Sequence, residues 1–555
     1  MRPPMFGLIA CVALVASAHA TNDTWATRTP IGALPFHAVD PQFISATSEA
    51  SDPGAPCLPD GAAPLRHSVW FGYTSGASTE YVTVGAHGDV FAALVAVFTG
   101  APGSFRIVGG GCGGAQSDGV QGLRLAPNTE YSFLVGAVNA TFTGTLTFDL
   151  GESLVYRVTK TADTYDGACD ADCSLREAID AANLARGAVL IPAGVYAVSR
   201  PGRENSNATG DFDIACGMGL YGAGMDQTTI DGKGYDAVLE FDYGNRGFCA
   251  LSLADLTLTG GSTQLGSSGG GLRMAPNGTF PPDFIGMERV RITGNQAQAQ
   301  GGGAYIICPA VIRDSRIDHN ISATYGGGIF YSNYAGPSLD ISGTTFDANQ
   351  AQYYGGGLYM QGGSARIVDS TFSQNVAASL GGGILFHSDG TLFVGSSTIA
   401  YNHLQGNAAA NSQGAGIRLD GGSATIVNSI IANNDDLNPA DPPDCGRSSG
   451  TLVSDHDLVR APAASCVFAG VGDQTGVDPL LARGLADNGG PTPTIAIVPD
   501  SPAHDAADPA GCTDALGVTL AYDQRGAPFA RGYQGGPCDK GAFEIGDQIF
   551  REGFE

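Results

Sequence analysis

Lysine is almost missing from this chain. Only Lys160, Lys233 and Lys540 occur in 555 residues. Arginine does not make up the difference. Lys plus Arg is 27 against 54 Asp plus Glu, a formal net charge of −27. That balance excludes a nucleic-acid partner, because phosphate neutralisation needs cations. Charged residues of both signs make up only 15% of the chain. Beyond the first twenty residues no apolar run reaches the ~18 needed to span a bilayer, so no transmembrane helix is expected. There is no Cys-x-x-Cys pair and no Cys/His cluster, which argues against zinc. The 82 Gly follow no period of three, so a collagen is excluded. Regularly spaced aliphatics exclude a disordered chain.

What is present begins with an export signal. Arg2 supplies a positive start, Phe6 to Ala16 an apolar stretch, and Ala18-His19-Ala20 a cleavage site. Residues 1–20 are therefore expected to be a Sec-type signal peptide. The mature protein is then secreted or held at the outer surface of a bacterium. Cys11 leaves with the signal. The remaining spacing suggests Cys57–Cys112, Cys169–Cys173, Cys216–Cys249, Cys445–Cys466 and Cys512–Cys538, with Cys308 left over. Disulfides fit an oxidising compartment.

Residues 21–66, rich in Pro, Ala and Ser, are expected to be a linker. Residues 67–150 alternate apolar and polar positions in short runs such as Ser68–Tyr73, Phe91–Phe98 and Tyr131–Val135. That pattern predicts a small antiparallel β-sandwich. On Val69-Trp70-Phe71-Gly72-Tyr73 and Leu94-Val95-Ala96-Val97-Phe98 the region resembles the pre-peptidase C-terminal type of β-sandwich in secreted bacterial proteins.

Residues 153–184 predict a short amphipathic helix. Ser174 with Glu177 forms a capping box, and Leu175, Ala178, Ile179 and Ala182 share one face. Such a helix covers the open end of a β-solenoid. Cys173-Ser174-Leu175-Arg176-Glu177-Ala178 resembles the "CSLREA" signature of secreted bacterial β-helix proteins.

From residue 185 to about 440 the chain repeats. Triple glycines start at Gly269, Gly301, Gly326, Gly355 and Gly381, with a degenerate copy at Gly414-Ala415-Gly416. Ser/Thr-rich strands end in Asn295, Asn320, Asn349, Asn375, Asn402 and Asn433, at intervals of 25, 29, 26, 27 and 31. A fixed period in the twenties means a solenoid. A strand period of two with Gly at corners selects an all-β fold, a right-handed parallel β-helix. It should have three strands per coil, roughly nine coils, and a length of about 45 Å at about 4.8 Å per coil. Asn at corners tolerates the left-handed conformation, and stacked amides form a ladder. Gly356-Gly357-Leu358 with Phe346-Asp347-Ala348-Asn349 resembles the repeats of polymorphic outer-membrane proteins, bacterial surface adhesins. That resemblance implies adhesion, although no membrane barrel follows.

Residues 441–545 lose the period. Asn488-Gly489-Gly490-Pro491-Thr492, Asp523-Gln524-Arg525-Gly526 and Cys538-Asp539-Lys540-Gly541 resemble the choice-of-anchor carboxy-terminal region of bacterial β-helix proteins. They are expected to cap the last coil, with Asp523, Arg525 and Asp539 in structural ion pairs. Residues 546–555 form a tail that resembles a sorting tag.

Candidate sites follow from strand alternation. Arg273, Tyr305, Phe330, Tyr359, Leu385 and Arg418 form one outward stripe. Ala275, Ile307, Ser332, Gln361, His387 and Asp420 form the next. Tyr305, Phe330, Tyr359, His387 and Arg418 suit stacking and hydrogen bonding to sugars. His387, Asp389, Arg418 and Asp420 are the weak catalytic candidates. Residues 261–434 contain one Glu, Glu288, and no Lys. The paired carboxylates of a glycosidase and the lysine base of a lyase are thus not apparent. Asp163, Asp166, Asp170 and Asp172 are the candidate calcium ligands; no other cofactor is expected. The expectation is a rod that binds a polysaccharide or a host or neighbouring cell surface. The alternative is a polysaccharide lyase or glycoside hydrolase on the same scaffold.

Overall fold

The computed structural model describes residues 22–546, apart from 41–42, 50, 55–64, 90–91, 115–118, 138–143, 205, 215–216, 243–249, 276–283, 333–337, 406–413, 438–441 and 533–535. The signal peptide, almost all of the tail, and Cys57, Cys216 and Cys249 lie outside the described residues. Cys169–Cys173, Cys445–Cys466 and Cys512–Cys538 are bonded as expected. Cys308 is a buried thiol whose sulfur lies 3.3 Å from that of Met274.

Two sheets of mostly antiparallel strands come first and share one apolar core. Two of their strands fall within residues 21–66, expected to be a linker. Thr29–Ile31 pairs with Phe71–Tyr73, and Phe36–Asp40 pairs antiparallel with Leu146–Leu150. Phe36 explains the second pairing, since its ring packs 6.1 Å from Phe71 and 6.3 Å from Phe148. Adjacent prolines hide so short an alternation in the sequence.

These sheets lie against the side of a parallel β-solenoid of about nine turns. Arg124 pairs with Asp255 across the contact, and at Gly286 the approach is backbone to backbone. A Cβ on Gly286 would sit 2.1 Å from the amide nitrogen of Gly110. Gly286→Val is therefore expected to force the two parts about a side chain's width apart, at a cost of about 1–3 kcal/mol. Limited proteolysis should then cut between the sheets and the solenoid, where the native protein resists.

The helix Leu175–Ala185 seals the first coil. Its capping box is present, and Leu175, Ala178, Ile179 and Ala182 are buried among first-coil residues. The solenoid extends beyond 185–440 at both ends. Val155–Arg157 pairs with Ala188–Leu190, and Cys445–Asp455 and Leu458–Val459 continue the pairing. Each central coil carries a fourth, two-residue strand after its Asn, as in Gln350–Ala351 and Val376–Ala377. Inside, equivalent apolar residues stack coil on coil: Ile329, Leu358, Ile384 and Ile417 share one column, and the rings of Phe346 and Phe372 lie 4.4 Å apart.

Two polar ladders run along this core. In the first, the backbone N–H and Nδ2 of each Asn donate to Oδ1 of the next: Asn295, Asn320, Asn349, Asn375, Asn402 and Asn434, ending on Asp444 Oδ1. The last amide is Asn434, where sequence spacing pointed to Asn433. The left-handed backbone belongs to the residue before each rung: His319, Ala348, Gln374, Tyr401 and Asn433 have φ between 51° and 61°. Asn is thus needed for its side-chain bonds, and αL tolerance matters one position earlier. In the second ladder the backbone N–H of each rung donates to the hydroxyl of the next through Ser315, Thr344, Ser370, Ser397 and Ser429. It ends on Asp457 Oδ1.

The C-terminal part does more than close the last coil. It returns along the solenoid and covers a column of threonines. Thr345 Oγ1 donates to the Pro493 carbonyl, Thr371 Oγ1 to Gln524 Oε1, and Thr398 Oγ1 accepts from the Ala542 N–H. Arg525 pairs with Asp523 at 2.6 Å, between the rings of Phe529 and Phe543. Asp539 accepts from the N–H groups of Asp505 and Ile545.

Candidate functional site

The expected outward stripe is a true column. Arg273, Tyr305, Phe330, Tyr359, Leu385 and Arg418 are successive register partners. It also continues toward the N-terminus through Glu240 to Asp213. The sequence signal stops at Arg273 because the first coils lack a triple glycine to mark the strand.

The middle of the column is not open to a ligand's flat face. Tyr305 stacks on Phe330 at 5.3 Å, and Phe330 on Tyr359 at 5.3 Å. Residues just before the triple glycines form a second row, Tyr325, Tyr354 and Leu380, which packs against the first. Phe330 is 1% exposed and Leu385 2%. These rings form a wall that consumes its own faces. Tyr353, 47% exposed and 6.1 Å from Tyr325, is the ring that presents itself to solvent. It was missed because it lies outside the strand alternation.

The two ends of the column differ. At the C-terminal end lies an open polar hollow of about 490 Å³, lined by Gln361, Ser364, His387, Asp389 and Asp420. A second, of about 480 Å³, is lined by Arg418, Arg447, Ser448 and Ser465. Arg418 and Asp420 join the two: Arg418 Nε donates to Asp420 Oδ1 at 2.6 Å, and Ser448 Oγ bonds the same oxygen. His387 and Asp389 are exposed. The four residues singled out from sequence thus meet in one continuous surface. Arg447 and Ser448 complete it from beyond the last glycine run. Arg447 is held by the carbonyls of Ser465 and Gly450.

The four candidate calcium ligands go separate ways. Asp163 pairs with the fully buried Arg176 at 2.8 Å. Asp172 pairs with Lys160 at 2.9 Å. Asp166 and Asp170 each accept a backbone N–H two residues on, which is ordinary turn chemistry. Arg176 instead ties the helix to the first coils, and Glu177 ties it to the loop before it. Arg176 donates to the carbonyls of Gly210 and Asp211 and faces the ring of Phe212 at 4.6 Å.

No protein-family model matches the chain, and no curated protein matches it. Among solved structures, the chain is similar to a variant of the catalytic domain of a GH87 α-1,3-glucanase in complex with nigerose. Identity is 14%, coverage is 69% of this chain and 90% of that one, and the TM-score is 0.19. It is also similar to the Agl-KA catalytic domain, at 12% identity, 80% and 96% coverage and a TM-score of 0.21. At those scores the likeness carries no argument about chemistry here.

At the N-terminal end of the column the polar groups are buried. Asp211, Asp236 and Glu240 surround Arg273, with Asp213 beside them, all at 1–5% exposure. Burial raises Asp211 to about 7, helped by Asp236, and raises Asp213 to about 8, helped by Asp211. Carboxyls with raised values are general-acid material, but a glycosidic oxygen must touch the acid. Both Asp211 oxygens and Asp213 Oδ1 lie beneath the surface. The open hollows therefore suit hydrogen bonding to hydroxyls, and the buried cluster does not suit attack on a polymer.

Proposed function

We propose that this is an exported rod that binds a polysaccharide, without cleaving it, through the face formed by its later coils. The observation that carries the reading is the pair of adjoining polar hollows spanning His387, Asp389, Asp420, Arg418 and Arg447. Their imidazole, carboxylate, guanidinium and hydroxyl groups match sugar hydroxyls, and the exposed ring of Tyr353 offers an apolar face farther along. The three disulfides and the lack, among the described residues, of any helix long and apolar enough to cross a membrane support export.

The test is titration of the mature protein against bacterial, plant and algal polysaccharides, with reducing ends and unsaturated products followed in parallel. Binding without product is expected. Contacts spread over several coils make each single change, His387→Ala or Asp420→Ala, cost about 0.5–1.5 kcal/mol in affinity, and the losses should accumulate in the double variant. Release of either product, abolished by His387→Ala, would overturn the reading in favour of an enzyme.

A further inference from the structure

The buried end of the column is charged in a way its own residues do not balance. Asp211 is 1% exposed, Asp213 4% and Glu240 3%. One carboxylate oxygen from each lies within 4.8 Å of the others. Among the described residues neither oxygen of Asp211 accepts a hydrogen bond, and Asp213 Oδ1 accepts none. Buried polar atoms are normally satisfied, and a bare buried carboxylate is costly.

The cations nearby are already engaged. Arg273 bonds Glu240, lies 3.3 Å from Asp236, and reaches Asp211 only at 3.6 Å. Arg176 spends its Nε on Asp163. Glu204 and Asp180 add negative charge from the flanking loop and helix. Glu204 accepts the N–H groups of Ser206, Ala208 and Thr209, and Asp180 the Nδ2 of Asn207. Arg203 lies 3.9 Å from Asp236, so Asp163, Asp211, Asp213, Asp236 and Glu240 face only Arg176, Arg203 and Arg273, an excess that a divalent cation would cancel.

We infer that Asp211, Asp213 and Glu240 form a structural calcium site, buried on the outward column of the first coils of the solenoid. The donors are all hard oxygens, which select calcium or magnesium over zinc or copper. Calcium–oxygen distances of about 2.3–2.6 Å put opposite ligands up to about 5 Å apart, which accommodates the spread of these atoms. Magnesium keeps several waters, which a site with so little exposure does not house. Asp213 is already oriented as a ligand: its Oδ2 accepts the Asn207 N–H at 2.8 Å, which leaves Oδ1 turned to the cluster. The site ties residues 211–213 to the second coil, directly beneath the helix that seals the rod. It is independent of the polysaccharide surface.

The test uses the full mature chain stripped with chelator, titrated with calcium chloride by calorimetry and followed by thermal unfolding. Calcium at pH 8 should bind and raise the unfolding temperature by several degrees, with magnesium weaker. Because the ion displaces protons from Asp211 and Asp213, affinity should fall as pH drops from 8 to 6. Asp213→Asn should weaken this binding roughly tenfold or more. In chelator that variant should be at least as stable as the parent, since it removes an unbalanced charge, so loss of binding would not reflect misfolding. The paired change Asp170→Asn, Asp172→Asn in the exposed loop should leave binding intact. No calcium binding by the parent, or binding kept in Asp213→Asn and lost in the loop variant, would overturn the inference. Equal binding of magnesium would overturn the choice of ion.

Discussion

Asn375→Leu is expected to cost about 2–6 kcal/mol of stability, the largest single effect in the solenoid. Asn375 Oδ1 accepts from the N–H and Nδ2 of Asn349, and its own Nδ2 donates to the Phe346 carbonyl and to Asn402 Oδ1. A leucine removes all four of these bonds; the Asn349 N–H loses its acceptor, while the Asn349 amide keeps only the Ile317 carbonyl. Each lost bond costs about 0.5–1.5 kcal/mol. Both tryptophans, Trp25 and Trp70, belong to the N-terminal part. Circular dichroism in urea therefore reports the coils, and fluorescence reports the sheets beside them. The variant should shift the first signal far more than the second. A loss below about 1 kcal/mol would mean that the ladder is ornamental.

Stability should fall as pH rises from about 5 to 8 in the presence of chelator, the reverse of the usual acid sensitivity. Burial raises Asp369 and Asp444 to about 6, Asp211 and Glu544 to about 7 and Asp213 to about 8. For such groups the native state holds protons that the unfolded chain releases. Their contribution is complete below the ordinary carboxylate value near 4 and is lost as pH climbs through 6–8, by about 1.4 kcal/mol per pH unit for each group. Asp255 and Asp318 act oppositely. Asp318 is buried and Asp255 partly so, which alone would raise them, but hydrogen bonds from Arg291 and Arg289 hold them below the usual value. Their contribution is lost only below about pH 4. The optimum should therefore lie near pH 4–5, with the unfolding temperature declining steadily above it. A rise between pH 5 and 8 would overturn the expectation.

The solenoid was legible because its repeats carry glycine, asparagine and alternation at fixed intervals, and these are local signals. The helix was legible for the same reason: Ser174 and Glu177 are three residues apart and act on each other. The stripe from Tyr305 to Arg418 kept its register, since every triple glycine marks the start of the same strand. What escaped depends on distance in sequence. Asp213 and Glu240 continue the column of Arg273 on coils that carry no glycine marker. The covering of Phe330 by Tyr325 and Tyr354 follows from packing between two rows, which alternation within one strand does not reveal. The acidic loop misled for the converse reason. Asp163, Asp166, Asp170 and Asp172 are close in sequence, but Arg176, Lys160 and two turns claim them one by one.

The asparagine ladder has a direction. Every amide points its N–H side toward the C-terminal end of the rod and its oxygen toward the N-terminal end, so the small dipoles of six side chains add head to tail. The positive end of that row meets Asp444, as an acid meets the N-terminus of an α-helix. Asparagine both gives and receives; a carboxylate only receives. The Asp444 side chain has no N–H to hand on, and its second oxygen instead accepts the Ala461 N–H. The amide row thus behaves like a polymer with its terminating group built in, and its length is set by one change of functional group, while the strands run on past it.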